Sequence, residues 1–159
     1  MTATQPVQDR FRFGGGCLLE GYRYIDRFRV PFFEIDMLRH TNHIAYIRWA
    51  ETARCAYFEE VLGEPIAGDR GCIAARLEID YRTPLEWREA VAIGCRISRF
   101  GRKSFDTEYE IWSETRGVLA ATLVVKCVAF NYRTAASILV PDEWKRIARE
   151  YEPVPPEFA

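Results

Sequence analysis

The 159-residue chain lacks the features that define several classes of protein. Its five cysteines include no CxxC pair and are odd in number, so neither a disulfide framework nor a cysteine zinc site is indicated. No apolar run approaches the roughly 18 residues of a membrane span, and residues 1–10 lack the apolar core of a signal peptide. Basic and acidic residues, 22 and 23, nearly cancel. We therefore expect a cytoplasmic protein with reduced cysteines, no nucleic-acid partner and no membrane association.

The sequence contains no internal repeat and no linker, and 48% of its residues are hydrophobic, which suits one domain with a substantial core. Residues 1–16 are polar and then glycine-rich, without periodicity, and are predicted to be a disordered leader. We expect a single domain over residues 17–152 and a proline-rich tail over residues 153–159.

One long helix is predicted between Asn42 and Gly63, because apolar residues recur there at spacings of three and four. Thr41 or Asn42 can cap its start, and Gly63 can take the left-handed conformation that ends it. Alternating apolar residues predict a strand over residues 22–33. Four more strands are predicted over residues 72–82, 91–100, 104–112 and 118–130, followed by an amphipathic helix over residues 142–151.

The order of these elements predicts an α+β fold. Short turns at Gly101 and Gly117 favour antiparallel hairpins, so the sheet is expected to curl around the one long helix. The strand over residues 118–130 is apolar on both faces except at Lys126, and is expected to be central and covered on both sides. One edge and one face of the sheet need cover, which a second copy of the chain would supply.

Asp36 is the residue that most directly suggests chemistry. It closes an apolar stretch containing Phe32 and Phe33, and the long helix begins a few residues later. A carboxylate in such surroundings is partly desolvated and can act as a base or nucleophile. The free N–H groups of the first helical turn suit a developing oxyanion, so the two features predict half of an acyl-transfer site. The structural alternative is that Asp36 caps the loop or pairs with Arg39.

The two histidines, His40 and His43, lie at the helix entry. Their spacing can place both rings on one helical face, but only Glu34 and Glu51 are available as further ligands, so no metal site is predicted. A hydrogen-bonding or water-orienting role for His43 and a structural role both stay open. A serine nucleophile is not indicated because the chain has no GxSxG motif, and Cys55 lies two turns into an apolar helix.

The run from Glu34 to Arg54 resembles the hotdog-fold acyl-CoA thioesterases of the 4-hydroxybenzoyl-CoA thioesterase type. Those enzymes have an acidic pair, a glycine-containing turn and a helix with the pattern N-x-x-Y-x-x-[WF]-x-E-x-x-R. Tyr46, Glu51 and Arg54 match its spacing, and Asn42 lies one residue before the position of its asparagine. The segments YRTP, residues 81–84, and GRKS, residues 101–104, are similar to a strand end and a hairpin of the family. His43 falls where the Tol-Pal-associated branch carries a functional histidine.

The resemblance implies hydrolysis of an acyl-CoA thioester to a carboxylic acid and coenzyme A. The site is expected at a subunit interface of a homodimer or homotetramer, with no metal and no organic cofactor. By the same resemblance, Asp36 attacks the carbonyl or activates a water molecule. The oxyanion is expected to bind N–H groups near Asn42, His43 and Ile44.

Further substrate contacts are expected at Tyr46 in the acyl pocket and at polar side chains near strand ends that suit the phosphates of coenzyme A. The latter residues are Arg82, Arg99, Arg102, Lys103 and Ser104. Two positions differ from the family pattern. The first acid of the pair is Glu34, and the usual glycine of the turn is Arg39, which adds a charge near the expected thioester.

Two other functions and one other fold stay open. A hotdog enoyl-CoA hydratase or dehydratase would use Asp36 and His43 together, whereas a non-catalytic acyl-binding module would bind its ligand without turnover. A cone-shaped α+β ligand-binding fold usually has several helices before its sheet, and here only one helix precedes the run of four strands.

Overall fold

The computed structural model describes residues 19–159; the predicted leader and Cys17 lie outside them. The elements are β1 (Tyr24–Arg29), α1 (His43–Glu60), β2 (Arg70–Tyr81), β3 (Ala90–Phe100), β4 (Ser104–Ser113), β5 (Val118–Asn131), β6 (Ala136–Ser137), α2 (Asp142–Tyr151) and β7 (Glu157–Phe158). Neither α1 nor α2 is long and apolar enough to cross a lipid bilayer.

The main sheet has the strand order β1-β3-β4-β5-β2, and every neighbouring pair in it is antiparallel. The short strand β6 pairs with β5, and β7 runs parallel to the end of β3. Helix α1 packs against the inner face of this sheet and shares one hydrophobic core with it. The predicted α+β fold, an antiparallel sheet curled around one long helix, is confirmed.

Local residues define both ends of α1. The Oδ1 atom of Asn42 accepts the N–H of Ile44 at 2.9 Å, which satisfies one of the free donors of the first turn. Gly63, just beyond the helix, has a φ of 72°, a conformation that glycine adopts without steric penalty. The side chains buried along the helix are Ala45, Tyr46, Ala50, Ala53, Arg54, Tyr57 and Phe58.

Strand β2 contains a β-bulge between Ala74 and Arg76, where its register with β5 shifts by one residue. A bulge changes which face the following residues occupy. Ile73 therefore shares the outer face with Arg76, whereas Leu77 faces inward opposite the buried Val125. Simple alternation along the sequence would have placed Ile73 and Leu77 on the same face.

Within residues 19–159 both edge strands, β1 and β2, are paired on one side only, and β2 is the longer of the two. In the main sheet β2 pairs with β5 alone, and its apolar side chains Ile73, Leu77 and Tyr81 are all exposed. Strand β5 is an interior strand, between β4 and β2, but Val124 and Lys126 on its outer face are exposed, so residues 19–159 do not cover it on both sides as expected. Unpaired edges of this length are normally protected in native proteins.

Glu152, directly after α2, links the end of that helix to the core by hydrogen bonds. Its carboxylate accepts the hydroxyl of Tyr57 in α1 and the N–H of Ile97 in β3, the latter at 3.2 Å. The second oxygen, Oε2, is buried and has no hydrogen-bond partner among residues 19–159. Burial raises the pKa of Glu152 from 4.5 to about 6, because the charged form is poorly solvated there.

Replacement of this buried acid, Glu152→Gln, is expected to stabilise the protein at pH 7.5 but not at pH 4.5. An acid with a raised pKa in the folded state contributes most below its unfolded pKa, and that contribution is lost as the pH rises through the folded value. Glutamine keeps the acceptor oxygen without the charge, so the free energy of unfolding should rise by about 1–2 kcal/mol at the higher pH. Urea denaturation across this pH range measures the difference.

The matched control is Glu150→Gln, because Glu150 is an exposed carboxylate near the end of α2. It should leave the pH dependence of stability unchanged. Identical pH profiles for Glu152→Gln and the wild type would contradict the account of Glu152.

Candidate active site

Asp36 lies in a hydrogen-bonded turn. Its Oδ1 atom accepts the N–H of Leu38 at 2.8 Å, and its own N–H donates to the carbonyl of His40 at 3.1 Å. The N–H of Arg39 donates back to the carbonyl of Asp36 at 3.0 Å. The carboxylate is half-buried, and its second oxygen accepts no hydrogen bond from the part of the chain that is described. One oxygen of Asp36 is thus anchored and the other is available.

The turn is attached to the loop after β2 and to the start of α1. Ile35 and Thr41 form an isolated antiparallel bridge across it. The N–H and the hydroxyl of Thr41 both donate to the carbonyl of Leu85, each at 2.8 Å. The N–H of Asn42 donates to the carbonyl of Glu34 at 2.8 Å. These bonds hold the turn of Asp36 next to the first residues of the helix.

The two carboxylates considered as metal ligands both pair with arginines of α1. Glu34 is buried and forms an ion pair with Arg48. Glu51 lies 3.5 Å from Arg54. Glu34, which corresponds to the first acid of the family pair, therefore links the turn to the helix through its ion pair with Arg48.

The N–H groups at the start of α1 differ in their availability. Asn42 donates to Glu34, Ile44 donates to the side chain of Asn42, and Ala45 donates to the carbonyl of Asn42 at 2.9 Å. Within residues 19–159 the N–H of His43 makes no hydrogen bond. It is consequently the free donor at the positive end of the helix dipole.

A cavity of about 270 Å³ opens beside this helix start. Its lining consists of Thr41, His43, Tyr46, Tyr81, Arg82, Thr83 and Pro84. The structure therefore brings together three predicted site residues, His43, Tyr46 and Arg82. Asp36 lies outside this lining, in the turn that leads to Thr41.

Two tyrosines form one wall of the cavity. The hydroxyl of Tyr81 donates to the carbonyl of His43 at 3.0 Å, and its ring meets that of Tyr46 edge to face with centroids 5.4 Å apart. The hydroxyl of Tyr46 accepts the N–H of Leu85 at 3.1 Å. Burial raises the pKa of both tyrosines, so both hydroxyls stay protonated at neutral pH. Sequence reasoning missed Tyr81 as a site residue, although it begins the YRTP segment that resembles the family.

The residues predicted to bind phosphate are divided between two ends of the sheet. Arg82 lines the cavity just after β2, where the end of β2 pairs with the start of β5. Arg99, Lys103 and Ser104 lie around the β3–β4 turn, where the start of β4 pairs with the end of β5. The pairings at Ala121 and Val128 are seven residues apart on β5 (128 − 121), or about 23 Å. Lys103 also donates to Ser137, at 3.2 Å from its hydroxyl oxygen.

Arg39 occupies the place of the family's glycine. Its φ of 67° is in the left-handed region, where glycine is favoured and other residues are strained by about 1 kcal/mol or more. The substitution therefore retains a conformation that glycine adopts freely. The side chain of Arg39 is exposed.

Comparison with known proteins assigns the class of this chain. The model of the thioesterase-like superfamily matches residues 30–158, which include the Asp36 turn, α1 and the sheet. The chain belongs to this superfamily, and the resemblance seen in the Glu34–Arg54 segment is confirmed. No curated protein is similar enough in sequence to be counted as a relative.

Solved structures give the fold and its relatives. A thioesterase from Thermus thermophilus, solved with coenzyme A and zinc, is 26% identical with a TM-score of 0.74 and covers 84% of this chain and 96% of its own. A gentisyl-coenzyme A thioesterase is 24% identical with a TM-score of 0.68, covering 77% and 98%. A 1,4-dihydroxy-2-naphthoyl-CoA thioesterase from Synechocystis is 14% identical with a TM-score of 0.67, covering 79% and 94%. The last two similarities show the hotdog fold alone.

Proposed function

We propose that the protein is an acyl-CoA thioesterase, which hydrolyses a thioester to a free carboxylic acid and coenzyme A. Membership of the thioesterase-like superfamily supports the reaction, and a similar protein solved with coenzyme A supports the ligand. The observation that carries the proposal is the free N–H of His43, which lies at the positive end of α1 beside a 270 Å³ cavity. Such a donor stabilises the charge that develops on a carbonyl oxygen.

In this mechanism the thioester oxygen accepts the N–H of His43 while Asp36 acts on the carbonyl carbon. As a base, Asp36 removes a proton from water as the water oxygen attacks; the C–S bond then breaks, and the coenzyme A thiolate takes up a proton. As a nucleophile, a carboxylate oxygen of Asp36 attacks the carbonyl carbon, the C–S bond breaks and the coenzyme A thiolate leaves with a proton from solvent. Water then hydrolyses the resulting acid anhydride, which releases the carboxylic acid and regenerates Asp36. Asn42 and Ile44 act through their hydrogen bond, which fixes the helix start, and Tyr46 lines the acyl side of the cavity.

The proposal includes a homodimer formed along the free edge of β2. A two-fold axis normal to the sheet keeps the inner and outer faces of both copies, so it must lie midway between the two copies of one β2 residue. An axis between the two copies of Arg76, or of Glu78, would place identical charges opposite each other, which is unfavourable. An axis between the two copies of Leu77 places Arg76 opposite the partner's Glu78 twice. The charges of β2 therefore favour this register.

This register brings the cavity beside His43 in one subunit close to the β3–β4 turn of the other subunit. Because of the bulge after Ala74, Tyr81 would lie opposite the partner's Cys72, with both side chains facing inward. The His43 cavity of one subunit then lies at the same end of the dimer as the β3–β4 turn of the other. Arg82 and the partner's Lys103 would share that end, where the coenzyme A phosphates are expected. The exposed outer face of β5 is available for a tetramer built from two dimers.

Asp36→Asn is expected to abolish thiol release over a panel of acyl-CoA substrates while leaving the fold intact. Asparagine keeps the oxygen that accepts the N–H of Leu38 but supplies no charged base or nucleophile. His43→Ala should reduce thiol release less, because it keeps the backbone N–H. Release of free thiol is followed spectroscopically, with circular dichroism as the fold control. A wild-type rate in Asp36→Asn, or hydration of crotonyl-CoA without thiol release, would contradict the proposal.

His43→Pro tests the backbone donor itself. His43 is the first residue of α1, a position that tolerates proline, and Asn42 has the φ of −56° and ψ of 135° that suit a residue before proline. The substitution removes the N–H without breaking the helix. We expect kcat to fall by about 10²–10³ relative to His43→Ala, with similar thermal stability. Equal rates in the two variants would exclude this N–H from catalysis.

The dimer register is tested by charge reversal at β2. Arg76→Glu should raise the dimer dissociation constant by about tenfold or more, because the new side chain would face the partner's Glu78. The double variant Arg76→Glu with Glu78→Arg should restore it. Analytical ultracentrifugation measures both, with Arg146→Glu on the exposed face of α2 as the control. A double variant as weak as the single one would contradict this register.

A further inference from the structure

A second cavity, of about 160 Å³, lies between the C-terminal half of α1 and the start of β2. It is at the opposite end of β2 from the His43 cavity. Much of its wall is apolar or uncharged and includes Cys55, Phe58, Ile66 and Cys72. Burial raises the pKa of Cys55, and a hydrogen bond with Cys127 and burial raise that of Cys72, so these thiols add no negative charge at neutral pH.

Arg54 contributes a buried positive charge to this cavity. The residue is only 8% exposed and lies in the cavity wall. Its guanidinium interacts with the hydroxyl of Tyr109, which itself donates to Thr107 at 2.9 Å. The nearest carboxylate is Glu51, at 3.5 Å, and the side chain of Glu51 is 65% exposed. A distance of 3.5 Å is long for a charge-assisted hydrogen bond.

The ion pair of Glu64 and Arg70, also in the cavity wall, does not neutralise the charge of Arg54. The carboxylate of Glu64 pairs with Arg70 and also accepts the indole N–H of Trp144 at 2.8 Å. A guanidinium has five donors and stays charged at physiological pH. Its burial is unfavourable unless a carboxylate or phosphate binds it closely. Within residues 19–159 no carboxylate does so.

We propose that this cavity binds the carboxylate of a small ligand, with Arg54 as its counter-ion and the apolar wall around its carbon chain. Cavity size supports a short ligand, since an engineered cavity of about 150 Å³ in another protein binds benzene. The carboxylate has two possible sources. One is a free small acid, and the other is the distal carboxylate of an acyl group, which rests on the proposed function and on the dimer that places Cys72 opposite the partner's Tyr81.

Glutarate, a five-carbon dicarboxylate, is the probe for direct binding, and its neutral diamide is the control ligand. In isothermal titration calorimetry, Arg54→Met should weaken glutarate binding by about tenfold or more, whereas Arg54→Lys should weaken it less. Glu51→Gln should strengthen binding about threefold or more, because it removes the carboxylate that competes for Arg54. The diamide should bind more weakly than glutarate and should not respond to these changes.

The opposite effects of Arg54→Met and Glu51→Gln distinguish a binding role from a structural one. A residue needed only for packing would not make binding stronger when its neighbour loses a charge. Circular dichroism confirms the fold of each variant. Glutarate binding that is unchanged in Arg54→Met, or that is absent at millimolar concentration even in Glu51→Gln, would overturn the proposal.

Thiol release identifies the source of the carboxylate. The substrates are glutaryl-CoA and valeryl-CoA, which have the same chain length and differ in the distal charge. If the acyl group supplies the carboxylate, Arg54→Met should lower the ratio of their kcat/KM values by about tenfold. An unchanged ratio together with weaker glutarate binding assigns the cavity to a free acid. If no acyl-CoA is hydrolysed, the proposed function fails while the binding experiment still decides the role of Arg54.

Discussion

The site depends on the hydrogen bonds that join the Asp36 turn to the start of α1. The backbone of Asn42 donates to Glu34, and its side chain accepts from Ile44, so one residue connects the turn and caps the helix. A helix start always presents several free N–H groups. Here residues 19–159 supply hydrogen-bond partners for the other N–H groups of the first turn but not for that of His43. The same bonds therefore build the scaffold and determine which donor is left for a ligand.

The periodicity of the sequence predicted most of the fold because burial alternates locally along each element. Helix α2 has the predicted bounds, Asp142–Tyr151, and α1 ends before Gly63 as expected. The bulge after Ala74 was not predicted, because a register shift depends on how β2 meets β5 and not on β2 alone. Cover of both faces of β5 was expected from its composition, yet residues 19–159 provide it on one face only.

The site was predictable where its parts are close in sequence. Asp36 and His43 are seven residues apart, so the approach of the turn to the helix start followed from local pattern and family resemblance. Tyr81 joins the cavity only because β2 returns to the helix start, which no local pattern shows. Lys103 was grouped with Arg82 as a strand-end cation, but sequence could not tell that the two strand ends lie at opposite ends of the sheet.

Two arginines of α1 differ in whether the fold supplies a close carboxylate for their charge. Arg48 pairs closely with the buried Glu34, so its charge is used to hold the turn. Arg54, six residues later, is itself buried, and its nearest carboxylate among residues 19–159 is that of the exposed Glu51, 3.5 Å away. The fold supplies Arg48 with a close carboxylate, whereas the proposed ligand would supply one to Arg54. Since β2 separates the two cavities in one chain, antiparallel pairing of β2 with a second copy is what would place them side by side.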